Sequence, residues 1–66
     1  MGNSQKVRIE VQDQQGQWHR YGEYGSSPTA YRSALRQAAR SALARNSGKA
    51  RAVDVDTGQI VDFEQA

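Results

Sequence analysis

Residues 27–46, SPTAYRSALRQAARSALARN, are the one segment of this 66-residue chain whose apolar side chains recur with a helical period. Ser27 suits the N-cap, and Pro28 suits the first helical position, where its missing N–H costs nothing. At about 100° per residue, one stripe of the helix holds Tyr31, Ala34, Leu35, Ala38 and Ala42. Because this stripe is mostly alanine, we expect the helix to lie close against a sheet and to end at a left-handed cap at Asn46 or Gly48.

Two segments with strand patterns flank the helix. KVRIEVQ alternates apolar and polar residues, DQQG supplies turn chemistry, and QWHRYGEY resumes with aromatic strand formers, which predicts a hairpin over residues 6–24 with a bulge near Gly22. KARAVDVD and QIVDFE, joined through Thr57-Gly58, predict a second hairpin in which Val53 and Val55 alternate with aspartates. Val61 and Phe63, or else Ile60, are expected to return the chain to the core.

The element order predicts an α+β fold of the ββαββ type, a four-stranded antiparallel sheet with one helix packed on one face. The 66 residues are too few for more than one domain, and we expect residues 1–5 to be a frayed polar start. One short helix cannot cover both faces of such a sheet. Polar side chains or a second copy must cover the far face, and we expect a homodimer through it because so small a core is marginal.

Composition narrows the functional classes. The absence of cysteine removes disulfides and thiolate metal sites and favours the cytoplasm. No apolar run approaches the roughly 18 residues of a membrane span, and MGNSQK has no signal-peptide core. We therefore expect a protein that neither crosses nor binds a membrane.

Charge is segregated along the chain although its net value is only +2. Residues 1–23 are neutral, residues 24–53 carry +6 without any acidic residue, and residues 54–66 carry −4. The basic part includes a row of helix arginines, of which Arg32, Arg36 and Arg40 lie beside and opposite the apolar stripe. Like charges four residues apart repel by a few tenths of a kcal/mol, and a ridge of unopposed arginines is typical of a phosphate-binding surface.

Other interpretations of the arginine row remain open. One alternative is a solvated helix face without a partner, and another is a row that pairs with Asp54, Asp56 or Glu10. Seven arginines against two lysines, with many alanines, are also what a genomic composition bias produces. An acidic protein is an alternative partner to nucleic acid.

The strand QWHRYGEY interleaves aromatic and basic side chains. Open antiparallel sheets that bind single strands stack bases on such residues, whereas packing in the core or at a dimer interface is the plainer interpretation. If the strand alternates, at least one of Trp18 and Tyr21 faces the helix, and the other is the candidate for base stacking.

Catalysis and metal binding have little support. The triplet Asp56-Thr57-Gly58 matches that of aspartic proteases, but their mechanism needs two such loops and a cleft, so a tight turn is expected instead. DVDTG matches a calcium loop only in part, because Gly58 stands where the third ligand should be. His19 is the only histidine and has no serine or carboxylate placed to partner it. We expect no enzyme, cofactor or metal.

The sequence thus predicts a small non-enzymatic accessory protein that binds DNA or RNA through its basic helix face. A protein–protein interaction module that homodimerises through its open sheet face is the alternative. The candidate nucleic-acid-binding residues are Arg32, Arg36, Arg40, Arg45, Lys49, Arg51, Arg20, Trp18 and Tyr21.

Overall fold

A four-stranded antiparallel sheet carries one helix on one face, as the sequence predicts. The computed structural model describes residues 6–45 and 48–66, apart from the side chains of residues 43–45. The elements are β1 (Lys6–Gln12), β2 (Trp18–Gly25), α1 (Pro28–Arg45), β3 (Lys49–Asp54) and β4 (Ile60–Gln65). The strand order is β2-β1-β3-β4, so β1 and β3 are central and β2 and β4 form the edges. The predicted frayed start and the cap at Asn46 lie outside the described residues.

Helix α1 begins and packs as its sequence indicates. The Ser27 carbonyl accepts the first helical bonds, from the N–H groups of Ala30 and Tyr31, while the Ser27 hydroxyl lies 2.8 Å from that of Thr29. After the helix, Gly48 adopts the predicted left-handed conformation, with φ 75°. All five residues of the predicted stripe are buried, and Ala39 joins them. No helix in the described ranges is long and apolar enough to cross a membrane.

The core lies between α1 and the two central strands. Val7 and Ile9 of β1 and Ala50 and Ala52 of β3 are buried against Leu35 and its neighbours on the helix. Among the side chains that the structure describes, only Ile9, Leu35 and Val7 are both large and almost completely buried, and most of the other core residues are alanines. The small side chains let the helix approach the sheet closely, which leaves a thin core.

A bulge in β2 changes which face its aromatic residues occupy. Ile9 pairs with Gly22 and Glu10 pairs with Arg20, so Tyr21 is the extra residue. Tyr24, beyond the bulge, packs against the core, whereas Trp18 pairs with Gln12 on the face away from the helix. The expectation that Trp18 or Tyr21 packs against the helix is wrong, because Tyr24 takes that place.

The second hairpin differs from the prediction in two ways. Strand β3 ends at Asp54, so Val55 belongs to the turn and is exposed. Strand β4 presents the opposite parity from the one expected: its apolar residues are 48–56% exposed, and Asp62 and Glu64 lie opposite Ala52 and Ala50 on the helix side. The exposed apolar residues of β4 are Ile60, Val61 and Phe63. None of these three residues returns the chain to the core.

Candidate nucleic-acid interface

The structure divides the predicted site residues between two opposite surfaces. The helix surface carries Arg32, Arg36 and Arg40. The open sheet face, which is the face away from α1, carries Trp18, Arg20, Lys49 and Arg51. The side chain of Arg45 lies outside the described residues. The candidate residues therefore cannot act as one site.

The first helix arginine has an acidic neighbour that sequence reasoning did not identify. A guanidinium nitrogen of Arg32 lies 3.9 Å from a carboxylate oxygen of Asp62, on edge strand β4. Glu10 pairs elsewhere, on the open sheet face, and the Asp54 carboxylate binds its own turn. For the helix arginines whose side chains the structure describes, the pairing with Asp54, Asp56 or Glu10 is therefore wrong, and Asp62 lies beside Arg32 instead.

Asp62 is a junction between the helix and the edge strand. It accepts the Tyr31 hydroxyl at 3.0 Å and the backbone N–H of Phe63 at 2.8 Å, in addition to its longer contact with Arg32. Burial, together with the hydrogen bond and the negative charge of Asp62, raises the pKa of Tyr31. A positive helix beside an acidic final strand explains this arrangement. The charge segregation of the sequence was thus the signal for which face Asp62 and Glu64 occupy.

The other two helix arginines are less constrained. Arg36 and Arg40 are exposed, one turn apart, and line an open groove with Ala39, Glu64 and Ala66. Neither arginine has an ion-pair partner within 4 Å among the residues that the structure describes. Two cationic groups are thus available to an external anion on this surface, with the Glu64 side chain nearby.

An ion-pair clamp fills the centre of the open sheet face. Glu10 accepts Arg51 Nε at 2.8 Å and Arg8 Nε at 2.9 Å through its two different oxygens, and its side chain is only 12% exposed. Burial alone would raise the pKa of Glu10, but the hydrogen bonds and charges of Arg51 and Arg8 outweigh it and hold that pKa below its ordinary value. The clamp therefore places paired charges at the centre of the face that the helix does not cover.

Aromatic and guanidinium groups extend outward from this clamp. The Arg51 guanidinium lies 4.2 Å from the centroid of the Trp18 ring, a cation–π contact. On the other side, Arg51 is the register partner of Phe63, a residue that is 48% exposed. We call Trp18, Arg51 and Phe63 the aromatic platform. Sequence reasoning missed Phe63 because it assigned that residue to the core.

Cations predominate on the open sheet face. Strand pairing places Lys6, Arg8, Arg20, Lys49 and Arg51 there, against Glu10 and Glu23, for a net charge of +3. Arg20 lies 3.8 Å from Glu23, and both side chains are well exposed. Tyr21, the bulge residue, is 41% exposed. The surface therefore combines flat π systems with an excess of positive charge.

His19 does have a carboxylate partner, contrary to the sequence-based expectation. Its Nε2 lies 2.6 Å from Asp13 Oδ2, while Asp13 Oδ1 accepts the backbone N–H groups of Gln15 and Gln17. The hydrogen bonds from His19 and Gln17 hold the pKa of Asp13 below its ordinary value. The pair closes the first hairpin turn, and the His19 side chain is 57% exposed. The hydrogen bonds of His19 and Asp13 are thus those of a hairpin turn.

The second turn also has an acidic organiser. Asp54 Oδ1 accepts the N–H groups of Asp56 and Thr57, and Gly58 adopts φ 77°. The predicted tight turn at Asp56-Thr57-Gly58 is confirmed, although Asp54 makes the local hydrogen bonds. Within the described ranges, no group of three or more histidine or acidic side chains is placed to hold a metal ion.

Comparison of the chain with protein-family models, with curated proteins and with solved structures finds no match.

Proposed function

We propose that this chain is a non-enzymatic, cytoplasmic nucleic-acid-binding protein whose helix surface contacts phosphates. One observation carries the proposal: Arg36 and Arg40 are exposed on adjacent turns of a helix without acidic residues, and no ion-pair partner lies within 4 Å in the described part of the chain. Arginine donates in a planar fork that matches phosphate oxygens. Arg32 contributes less, because Asp62 already lies beside it.

The binding expected of this surface is electrostatic and independent of sequence. Phosphate contacts fix position but carry no base information, so affinity should be similar for probes of different sequence. Each lost contact lowers the salt dependence of log affinity by about 0.9 on duplex DNA. Replacing Arg36 and Arg40 with Gln should therefore lower the slope by about 1.8.

An electrophoretic shift with a short random-sequence duplex, at low and moderate salt, tests the proposal. The matched control is Arg20→Gln with Lys49→Gln, which removes the same charge from the opposite face. We expect the helix pair to weaken duplex binding and the control pair to retain it. Equal losses in both variants would show that the effect depends only on net charge. Wild-type protein that does not shift the duplex at low salt would refute phosphate binding by the helix surface.

A second candidate function is a protein–protein interaction module that homodimerises through its open sheet face. The exposure of Ile60, Val61 and Phe63, all on edge strand β4, favours it. Interfaces of standard size, however, bury about 800 Å² and some 20–30 residues per partner, a large share of this 66-residue chain. Two faces of net charge +3 would also repel each other, so we rank this candidate second.

A further inference from the structure

We infer that the open sheet face is a second binding surface, separate from the helix arginines, and that its ligand is unpaired single-stranded nucleic acid. The inference rests on the proposed function, since it names the form of nucleic acid that a different surface accepts. Its basis is the combination, on one face, of the aromatic platform and a net charge of +3.

The net positive charge of the open sheet face indicates which class of ligand it binds. Lys49 and Lys6 have no ion-pair partner within 4 Å among residues 6–45 and 48–66, and Arg20 has only a long, exposed contact with Glu23. Glu10 is the one carboxylate near the centre, and two arginines neutralise it while leaving it little exposed. The face thus favours a polyanion over a second copy, whose like charges would meet its own.

The aromatic platform indicates which kind of polyanion this face binds. Trp18 lies on one edge strand and Phe63 on the other, so the platform spans three strand spacings, about 14 Å. Open sheets stack two or three bases on aromatic side chains, and guanidinium planes serve in the same way. Bases within a duplex are stacked on each other and have no free faces. A single strand can place its bases on this platform and its phosphates near Lys49 and Arg20.

The contact between Arg51 and Trp18 prepares the platform. Arg51 is fixed by Glu10 at 2.8 Å and by the Trp18 ring at 4.2 Å, and its side chain is 24% exposed. A group that is already ordered loses less conformational entropy when a base stacks on it. Phe63 is the most accessible member and so the residue where a base is expected to stack.

Trp18 provides the test, because it is the only tryptophan in the sequence. Its fluorescence reports on the open sheet face and not on the helix surface. We would titrate the full chain with an oligothymidylate of roughly ten nucleotides and with a duplex of the same length. We expect the single strand to quench Trp18 and the duplex to leave it unchanged.

Substitutions test whether single-strand binding depends on the aromatic platform. Phe63→Leu should weaken single-strand binding roughly 5- to 150-fold, the range for one lost base–aromatic stack, whereas Val61→Ala, an exposed apolar change on the same strand, should have little effect. Arg20→Gln with Lys49→Gln should lower the single-strand salt slope by about 1.4. Arg36→Gln with Arg40→Gln should leave the Trp18 signal in place.

The contrary outcomes are distinct. Single-strand binding without a change in Trp18 emission, and unaffected by Phe63→Leu, would overturn this inference while duplex binding through the helix still stood. If the Trp18 emission shifts with protein concentration alone and the sedimentation mass doubles, the open sheet face binds a second copy of the chain instead. Loss of duplex binding only in the sheet-face variants would overturn the helix proposal instead. No binding of either probe would overturn both.

Discussion

The hydroxyl of Tyr31, on the helix, donates a hydrogen bond to the carboxylate of Asp62, on edge strand β4, at 3.0 Å. Tyr31 is buried, and Asp62 also lies near Arg32 and accepts the backbone N–H of Phe63. This contact joins the outermost strand to the helix at a position where the apolar residues of β4 face away from the core. This polar contact takes the place of apolar contacts that the outward-facing side chains of β4 do not make with the helix.

Removal of this hydroxyl should loosen β4. Hydrogen bonds to charged groups contribute about 1.5–3 kcal/mol, and partial exposure of Asp62 places Tyr31→Phe near the lower end of that range. The control is Tyr24→Phe, since the Tyr24 hydroxyl has no hydrogen bond among the described residues. Urea unfolding at neutral pH compares the two variants. Equal losses of unfolding free energy would show that the contact with Asp62 adds nothing.

The raised pKa of Tyr31 predicts a loss of stability in alkali. Because the folded state holds the proton more tightly than the unfolded state, this contribution is fully present below the unfolded value, about 10, and disappears as the pH rises through the folded pKa. The stability difference between wild type and Tyr31→Phe should therefore shrink above pH 10, as measured by urea unfolding. A difference that stays constant there would contradict the raised pKa.

The clamp around Glu10 predicts the opposite pH dependence. Glu10→Gln should lower the free energy of unfolding by about 1–3 kcal/mol at pH 7, because it leaves Arg8 and Arg51 without their anion. The folded pKa lies below the unfolded value of about 4.3, so the contribution is present above that value and is lost as the pH falls through the folded pKa. Unfolding at pH 7 and in acid should show this gap closing. Glu23→Gln, an exposed acid on the same face, should cost less than about 0.5 kcal/mol.

Gly22 leaves space for the ring of Tyr24. A Cβ at Gly22 would lie 3.0–3.3 Å from the hydroxyl oxygen and two ring carbons of Tyr24, whose side chain packs against the core. Gly22→Ala should therefore cost about 1–3 kcal/mol by overpacking. In a Tyr24→Val background the same change should cost much less, as a double-mutant cycle by chemical denaturation would show. Equal costs in both backgrounds would rule out the steric explanation.

Two neighbouring aspartates should respond differently to substitution. Asp54→Ala removes the acceptor for two backbone N–H groups of the turn and should cost about 1 kcal/mol. Asp56→Asn or Asp56→Ala should stay within about 0.5 kcal/mol, because the structure uses only the backbone of this exposed residue. Thermal unfolding measures both. A calcium- or zinc-dependent rise in Tm that Asp56→Asn abolishes would establish a metal role instead.

Sequence periodicity was sufficient for the helix and the central strands. The stripe from Tyr31 to Ala42 and the alternation of Val7 and Ile9 each allow only one buried face, so their burial followed directly. Strand β4 was different. The alternation in Val61-Asp62-Phe63-Glu64 allows either the apolar or the acidic residues to face the helix. The prediction placed the apolar residues in the core because apolar side chains are usually buried. In the structure the acidic residues lie on the helix side instead: Asp62 is beside Arg32 and bonded to Tyr31, and Glu64 lies opposite Ala50.

Long-range pairing accounts for most of the errors in the site. The Glu10–Arg51 contact joins residues 41 positions apart, and Tyr31–Asp62 joins residues 31 apart. No local pattern specifies either contact without the strand order. Of the candidate residues, Arg32, Arg36, Arg40, Arg20 and Tyr21 are exposed, whereas Trp18, Lys49 and Arg51 are half-buried. Their division between two surfaces could not be predicted without the sheet.

The bulge at Tyr21 has a consequence for changes in chain length. It allows Trp18 and Tyr24, which are six residues apart, to occupy opposite faces of one strand. Deletion of Tyr21 would restore a regular ladder in which Arg20 still pairs with Glu10 and Gly22 with Ile9, so both rings would keep their faces. A residue inserted between Trp18 and Arg20 would instead move the only tryptophan to the helix side or lengthen the hairpin loop. This strand therefore tolerates the loss of one particular residue better than a gain beside it.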